Sequence, residues 1–209
     1  MNKKILAILI IAISAGLGLA LSQQLFSPKL PIESTQKPKL TAVTLIDTPR
    51  ALTALSLQSA NGAITAENLK GSWTLVFIGF TSCPDVCPTT LVELAKAQTI
   101  WAKSDLPHKP KLLFISIDPE RGSPIKTAEY ASFFSPDTIT GTAQEPQLSE
   151  LTRELGLVYM KVPQGDSYTM DHSAILVALN PKAEFTGIIR PPFNPEAIAQ
   201  DLINVSKTP

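Results

Sequence analysis

Two runs of the chain, residues 73–80 (WTLVFIGF) and 111–118 (KLLFISID), are apolar at nearly every position. A strand with one face in water alternates polar and apolar side chains, so strands apolar throughout are covered on both faces, as in the middle of a sheet packed between helices. The segments around them supply those helices. Residues 89–104 (TTLVELAKAQTIWAKS) place Leu91, Leu94, Ala95, Gln98 and Trp101 on one side of a helix. Ser123 and Pro124 open a second one through IKTAEYASFF, serine as cap and proline in the first turn. Residues 145–155 bring Leu148, Leu151 and Leu155 into register, and Asn194-Pro195 caps a last helix on which Ile198, Leu202 and Val205 share a face.

Further strands are expected at residues 156–162, 173–180 and 185–189. Residues 50–57 and 62–65 alternate around an Asn61-Gly62 turn, the pattern of a β-hairpin. Strand and helix alternate, then a hairpin and a terminal helix close the domain. The expected fold is α/β, built on a mixed sheet in the order of a thioredoxin-like fold, with an added N-terminal β-hairpin and an inserted helix.

The N-terminus is of another kind. After Lys3 and Lys4 comes an uncharged apolar run, residues 5–21, which as a helix rises roughly 25 Å, the lower end of what spans a bilayer. The reading favours one uncleaved transmembrane helix over a cleaved signal, because the run ends in only a weak small-x-small site. The two lysines would hold the short N-terminal side in the cytoplasm. Residues 27–40, rich in proline and polar side chains, read as a tether. The expected organisation is therefore a membrane anchor at 1–22, a tether at 23–42 and a domain at 43–209, placed in a bacterial inner membrane with the domain in the periplasm. Eighteen basic and eighteen acidic residues balance. No basic excess or stripe exists for nucleic acid, which is excluded as a partner.

The only two cysteines lie in GFTSCPDVCPTT, residues 79–90, between the first apolar strand and the first long helix. The carboxyl end of a strand and the amino end of a helix is where α/β sheets put their sites, and the helix end favours thiolate over thiol. Three residues separate Cys83 from Cys87, one more than in the usual dithiol redox motif. An i,i+4 pair on a helix can close a disulfide or hold two sulfurs around one soft ion, and the spacing leaves both open. A third ligand would decide, and two histidines exist. His108 stands in a polar turn at the opposite end of the sheet and reads as solvated. His172 precedes a strand whose leading loop, in a thioredoxin-like sheet, lies against the start of the site helix. No proline occurs in residues 164–173, so the cis-proline element of redox proteins of this fold is missing. Two sulfurs and one nitrogen suit copper or zinc. Peroxide chemistry is disfavoured, because no arginine stands near Cys83 in sequence.

The combination of GFTSCPDVCPTTL with ISIDPERGSP, EYASFFSP and DHSAILVALNP resembles the SCO/SenC family of membrane-anchored copper chaperones that help to assemble the dinuclear copper site of cytochrome c oxidase subunit II. The resemblance runs from about residue 52 to residue 202. It implies that Cys83, Cys87 and His172 bind one copper ion per chain, as copper(I) or copper(II). It implies contact of Asp118 with the metal surroundings or a partner, with Asp85 and Asp171 as further candidates. The implied partners are the oxidase subunit II copper domain and, beyond it, an upstream copper donor or a thioredoxin-like reductant. Some family members act as thiol-disulfide reductases, and that activity stands as the alternative. One departure is visible. The family usually carries an aspartate ahead of threonine and proline, where this chain has Gly122 before Ser123 and Pro124.

Overall fold

A computed structural model of the chain describes Ser22 and residues 39–207. The chain divides into two units, 1–37 and 38–209; the following concerns the second. Its strands are β1 (Val43–Ala51), β2 (Ser56–Ser59), β3 (Gly62–Thr65), β4 (Thr74–Gly79), β5 (Lys111–Ser116), β6 (Ile139–Thr142), β7 (Tyr159–Gln164), β8 (Ser167–His172), β9 (Leu176–Leu179) and β10 (Glu184–Ile189). Its helices are α1 (Ala66–Leu69), α2 (Val86–Ala102), α3 (Pro124–Ser132), α4 (Gln147–Glu154) and α5 (Pro195–Ser206).

Eight strands form one mixed sheet in the order β1-β10-β9-β4-β5-β6-β2-β3. At its centre β4 runs parallel to β5, with Gly79 opposite Ser116, and antiparallel to β9. Every residue of β4 is buried, as its unbroken apolar sequence requires for a strand covered on both faces. Phe77, Phe114, Leu75, Ile78, Leu112 and Ile115 are among the largest fully buried side chains. The core therefore sits on the two strands whose carboxyl ends lead into the cysteine loop and the Asp118 loop. The β2–β3 hairpin forms as expected, with Leu57 opposite Ile64, although the turn residues are Ala60 and Asn61, and Gly62 pairs with Ser59 at φ +113°.

The thioredoxin-like α/β architecture with extra strands and helix stands, while the transmembrane helix that was to precede it has no counterpart among the described residues. Among the described residues no helix is long and apolar enough to cross a membrane. The longest of them, α2, has 17 residues and carries the Lys96–Glu93 ion pair on a water-facing side, which no lipid-spanning helix would present. The anchor expected over residues 5–21 lies outside the described residues. On the described residues the expectation of a transmembrane helix, and of the single-pass inner-membrane placement with a periplasmic domain that rested on it, is not upheld.

Candidate functional site

The strand β4 ends at Gly79, and the chain turns through residues 80–85 into α2. Cys83 N–H donates to the Phe80 carbonyl at 3.2 Å, tightening this turn. Asp85 takes the N-cap position without a side-chain cap bond and is exposed. Its carbonyl accepts from Thr89 N–H, so the helix begins earlier than the periodicity of residues 89–104 indicates and already contains Cys87. Pro88 fits the first turn, where its missing N–H is not needed.

Cys87 is wholly buried and Cys83 is half-buried, and both are free thiols. The Cys83 sulfur accepts from the Cys87 backbone N–H at 3.4 Å. Gly79 makes the burial of Cys87 possible: a Cβ at that position would stand 2.9 Å from Cys87 Sγ and 2.9 Å from Phe114 Cε2. Only a residue without a side chain lets the central strand abut the sulfur. Burial pushes the Cys87 thiol well above its ordinary pKa, and hydrogen bonding with Cys83 and the Cys83 charge push the same way; a hydrogen bond from the Phe80 backbone opposes them and loses. For Cys87 burial therefore works against the thiolate expected at the helix end.

His172 was expected in a loop, yet it is the last residue of β8, which pairs with β7 in a separate two-stranded sheet. Its Nε2 lies 3.6 Å from Cys87 Sγ. Its Nδ1 stands 3.0 Å from the Ser173 carbonyl oxygen. A carbonyl only accepts, so the tautomer that satisfies this contact has its proton on Nδ1 and turns the Nε2 lone pair toward the sulfur. Phe77 and Phe80 frame the ring, each with centroids 6.2 Å from it and oriented edge-on.

The structure therefore brings Cys87 into contact with both Cys83 and His172. The three do not form a finished cage; among the described residues no group of three or more His, Cys, Asp or Glu is arranged to hold an ion. The donor set nonetheless fits a soft ion. At ordinary metal–sulfur and metal–nitrogen distances of about 2.3 and 2.0–2.1 Å, a 3.6 Å separation of Sγ and Nε2 would let one ion bind both. Cys83, the more exposed sulfur, is the one left to adjust.

The remaining candidates fall apart. His108 is exposed in the turn before β5, at the opposite end of the sheet. Asp171 is exposed and, as the strand neighbour of His172, faces the other side of the hairpin. Asp118 is buried, 3% exposed, and is committed to Arg121, whose Nε donates to its Oδ2 at 2.6 Å, and to Tyr168, whose hydroxyl donates to its Oδ1 at 2.9 Å. Arg121 and Tyr168 were missed by the sequence reading. Arg121 lies 38 positions beyond Cys83, yet its guanidinium comes to 6.0 Å from the Phe80 ring. The SIDPER run was the available signal, since a loop leaving a central strand beside the cysteine loop must share its corner.

Gly122, the departure from the family pattern, has no room for an aspartate: a Cβ there would be 2.7 Å from Ser116 Oγ and 3.0 Å from the Asp118 carbonyl oxygen. The helix cap survives without it, because Ser123 Oγ accepts from Lys126 N–H at 3.3 Å. An open cavity of about 770 Å³, lined by Asp118, Tyr159, Met160, Tyr168 and Met170, includes none of the three candidate ligands. Cys83 and His172 are half-buried at the end of the central strand, with Cys87 wholly buried beside them.

Comparisons with known proteins show which family the domain resembles along most of its length. The SCO1/SenC family model matches residues 47–207. The chain is similar to a mitochondrial SCO1 homolog of Arabidopsis thaliana, 37% identical over 124 residues, 58% of this chain and 36% of that one. The chain thus spans only about a third of that relative's length. It is similar along most of both lengths to an SCO2-like protein of Rickettsia conorii, 32% identical over 182 residues, 85% of this chain and 86% of the relative. Among solved structures, ScoI of Bradyrhizobium japonicum with copper bound superposes with a TM-score of 0.65 at 34% identity, over 75% of this chain and 96% of that one.

Proposed function

The chain belongs to the SCO1/SenC family, and from that premise we propose that it is a copper chaperone whose cargo is held by Cys83, Cys87 and His172 and delivered to the dinuclear copper site of cytochrome c oxidase subunit II. The observation that carries this reading is the 3.6 Å approach of His172 Nε2 to Cys87 Sγ across 85 positions of sequence. The approach sets an imidazole nitrogen against a buried cysteine sulfur beside a second free cysteine, the three donor atoms that a soft ion takes.

Copper is here a substrate to be passed on. Two thiolates and a neutral imidazole carry a charge of −2, so the copper(I) form is −1 and the copper(II) form neutral, both tolerable at a partly exposed corner. Loading two free thiols as two thiolates releases both thiol protons, since the thiolate is the ligand. Unloading starts from the other side. Cys83 is the sulfur an incoming thiolate reaches, and it can be replaced while Cys87 and His172, held by the core and by the Ser173 carbonyl, keep the ion until a second acceptor ligand arrives. Copper(I) can remain linear between two thiolates, whereas copper(II) prefers more ligands, so the imidazole matters more for the oxidised ion.

The test mixes the chain with a subunit II copper domain in two arms: copper-loaded chain with reduced acceptor, and metal-free reduced chain with oxidised acceptor. The expected result is copper transfer in the first arm, impaired by His172→Ala, and slow disulfide reduction in the second, indifferent to His172. Fast reduction in the second arm with no copper movement in the first would establish a thiol-disulfide reductase instead.

A further inference from the structure

The β7–β8 hairpin has no ladder to the eight-stranded sheet that leads into the cysteine loop. His172 is tied to that sheet only through the short link 173–175 into β9, so side-chain contacts share in placing its imidazole over Cys87. Arg121, in the loop after β5, spans the gap. Its Nε donates to Asp118 Oδ2 at 2.6 Å while its Nη1 donates to the Tyr168 carbonyl oxygen on β8 at 2.9 Å. Its guanidinium carbon lies 3.7 Å from the Tyr168 ring centroid and 6.0 Å from that of Phe80. Phe80 in turn meets the His172 imidazole edge-on at 6.2 Å. The Tyr168 hydroxyl returns to Asp118 Oδ1 at 2.9 Å and to Glu120 Oε2 at 3.1 Å. One planar cation thus ties the exit of the central sheet to β8, four positions before His172, and backs the ring on which the imidazole rests.

We propose that Arg121 is a positioning residue for the copper site, setting through the Tyr168 carbonyl and the Phe80 ring where the His172 imidazole stands relative to Cys87. The role rests on the ligand assignment above and does not involve Arg121 touching the ion. Arginine is required for geometric reasons: its rigid fork serves acceptors on two elements at once and stacks on an aromatic face, whereas a lysine ammonium offers a point charge on a flexible stem. Residues that orient a metal's ligands typically change metal affinity about 10–100-fold when replaced.

The experiment compares wild type, Arg121→Gln, Arg121→Lys, His172→Ala and the Arg121→Gln/His172→Ala double variant. Copper(II) affinity is read against a competing chelator, with the copper–thiolate absorption band, the nitrogen hyperfine coupling and thermal unfolding of the metal-free chains recorded alongside. Arg121→Gln should weaken copper(II) binding about tenfold and alter both spectroscopic signatures, with Arg121→Lys intermediate. In the His172→Ala background, Arg121→Gln should add nothing. A wild-type affinity and spectrum in Arg121→Gln, or an equal loss in both backgrounds, would overturn the proposal while leaving the ligands standing. Equal copper(II) binding by wild type and His172→Ala would instead remove the ligand assignment, and this role with it. If Arg121→Gln does not fold, Arg121→Lys decides: a spectrum identical to wild type overturns the role.

Discussion

Cys87 is subject to two opposed influences, a helix end that favours its thiolate and a core that refuses the charge. Burial wins, and the thiol is held well above its ordinary pKa, with Cys83 adding to the push. The thiolate is the reactive form, so a raised pKa means a smaller reactive fraction at any neutral or mildly alkaline pH and a rate that keeps climbing as pH rises. In the reduced, metal-free chain at pH 8, iodoacetamide should therefore modify the half-exposed Cys83 at least about tenfold faster than Cys87. The Cys87 rate should still be increasing at pH 9.5, as followed by peptide mass mapping. Equal rates, or a Cys87 rate that levels off below pH 8, would show that the sulfur is neither desolvated nor shielded. Gly79 belongs to the same argument, since its missing Cβ is what lets the core close over the sulfur.

At the scale of elements, the ends of the domain are fastened by single carboxylates. Asp201 on α5 is 2% exposed, and its Oδ2 accepts from the backbone N–H groups of Thr41, Ala42 and Val43 at 2.8, 2.7 and 2.9 Å. Asp201→Ala would leave donors at the start of β1 without partners. The expected cost is on the order of 2–3 kcal/mol, measured by denaturant unfolding of the metal-free chain; a loss under 0.5 kcal/mol, the scale of ordinary surface substitutions, would show that water replaces the carboxylate freely. No local pattern announces this contact, because the partners lie about 160 positions apart. The same reason separates the legible elements from the illegible ones. The strands β4, β5, β9 and β10 and the helices α2 to α5 announce themselves through apolar runs, periodicity and caps. The strand β1 is mostly exposed, β6 has four residues of which one is glycine, and β8 (SYTMDH) is polar enough to pass for a loop. Its strand character comes from pairing with β7, which the sequence of neither segment reveals alone.

For the whole molecule, acidic and basic residues balance, and the three candidate ligands lie where the central strand meets the first helix and the β7–β8 hairpin. The cysteine pair and the histidine could be singled out in the sequence because they are rare residues in a recognisable motif. Of the clamp of Asp118, Arg121 and Tyr168 only Asp118 could be singled out, through the family resemblance, because the partners lie 47 to 50 positions from Tyr168 and only the fold brings them together. The central claim is that two sulfurs and one imidazole surround the ion. X-ray absorption at the copper edge of the copper(II)-loaded chain tests it most directly. The account predicts two sulfur scatterers and one imidazole in wild type, with the imidazole signal absent and the sulfurs retained in His172→Ala. A copper shell of nitrogen and oxygen alone, or an imidazole signal that survives His172→Ala unchanged, would contradict it.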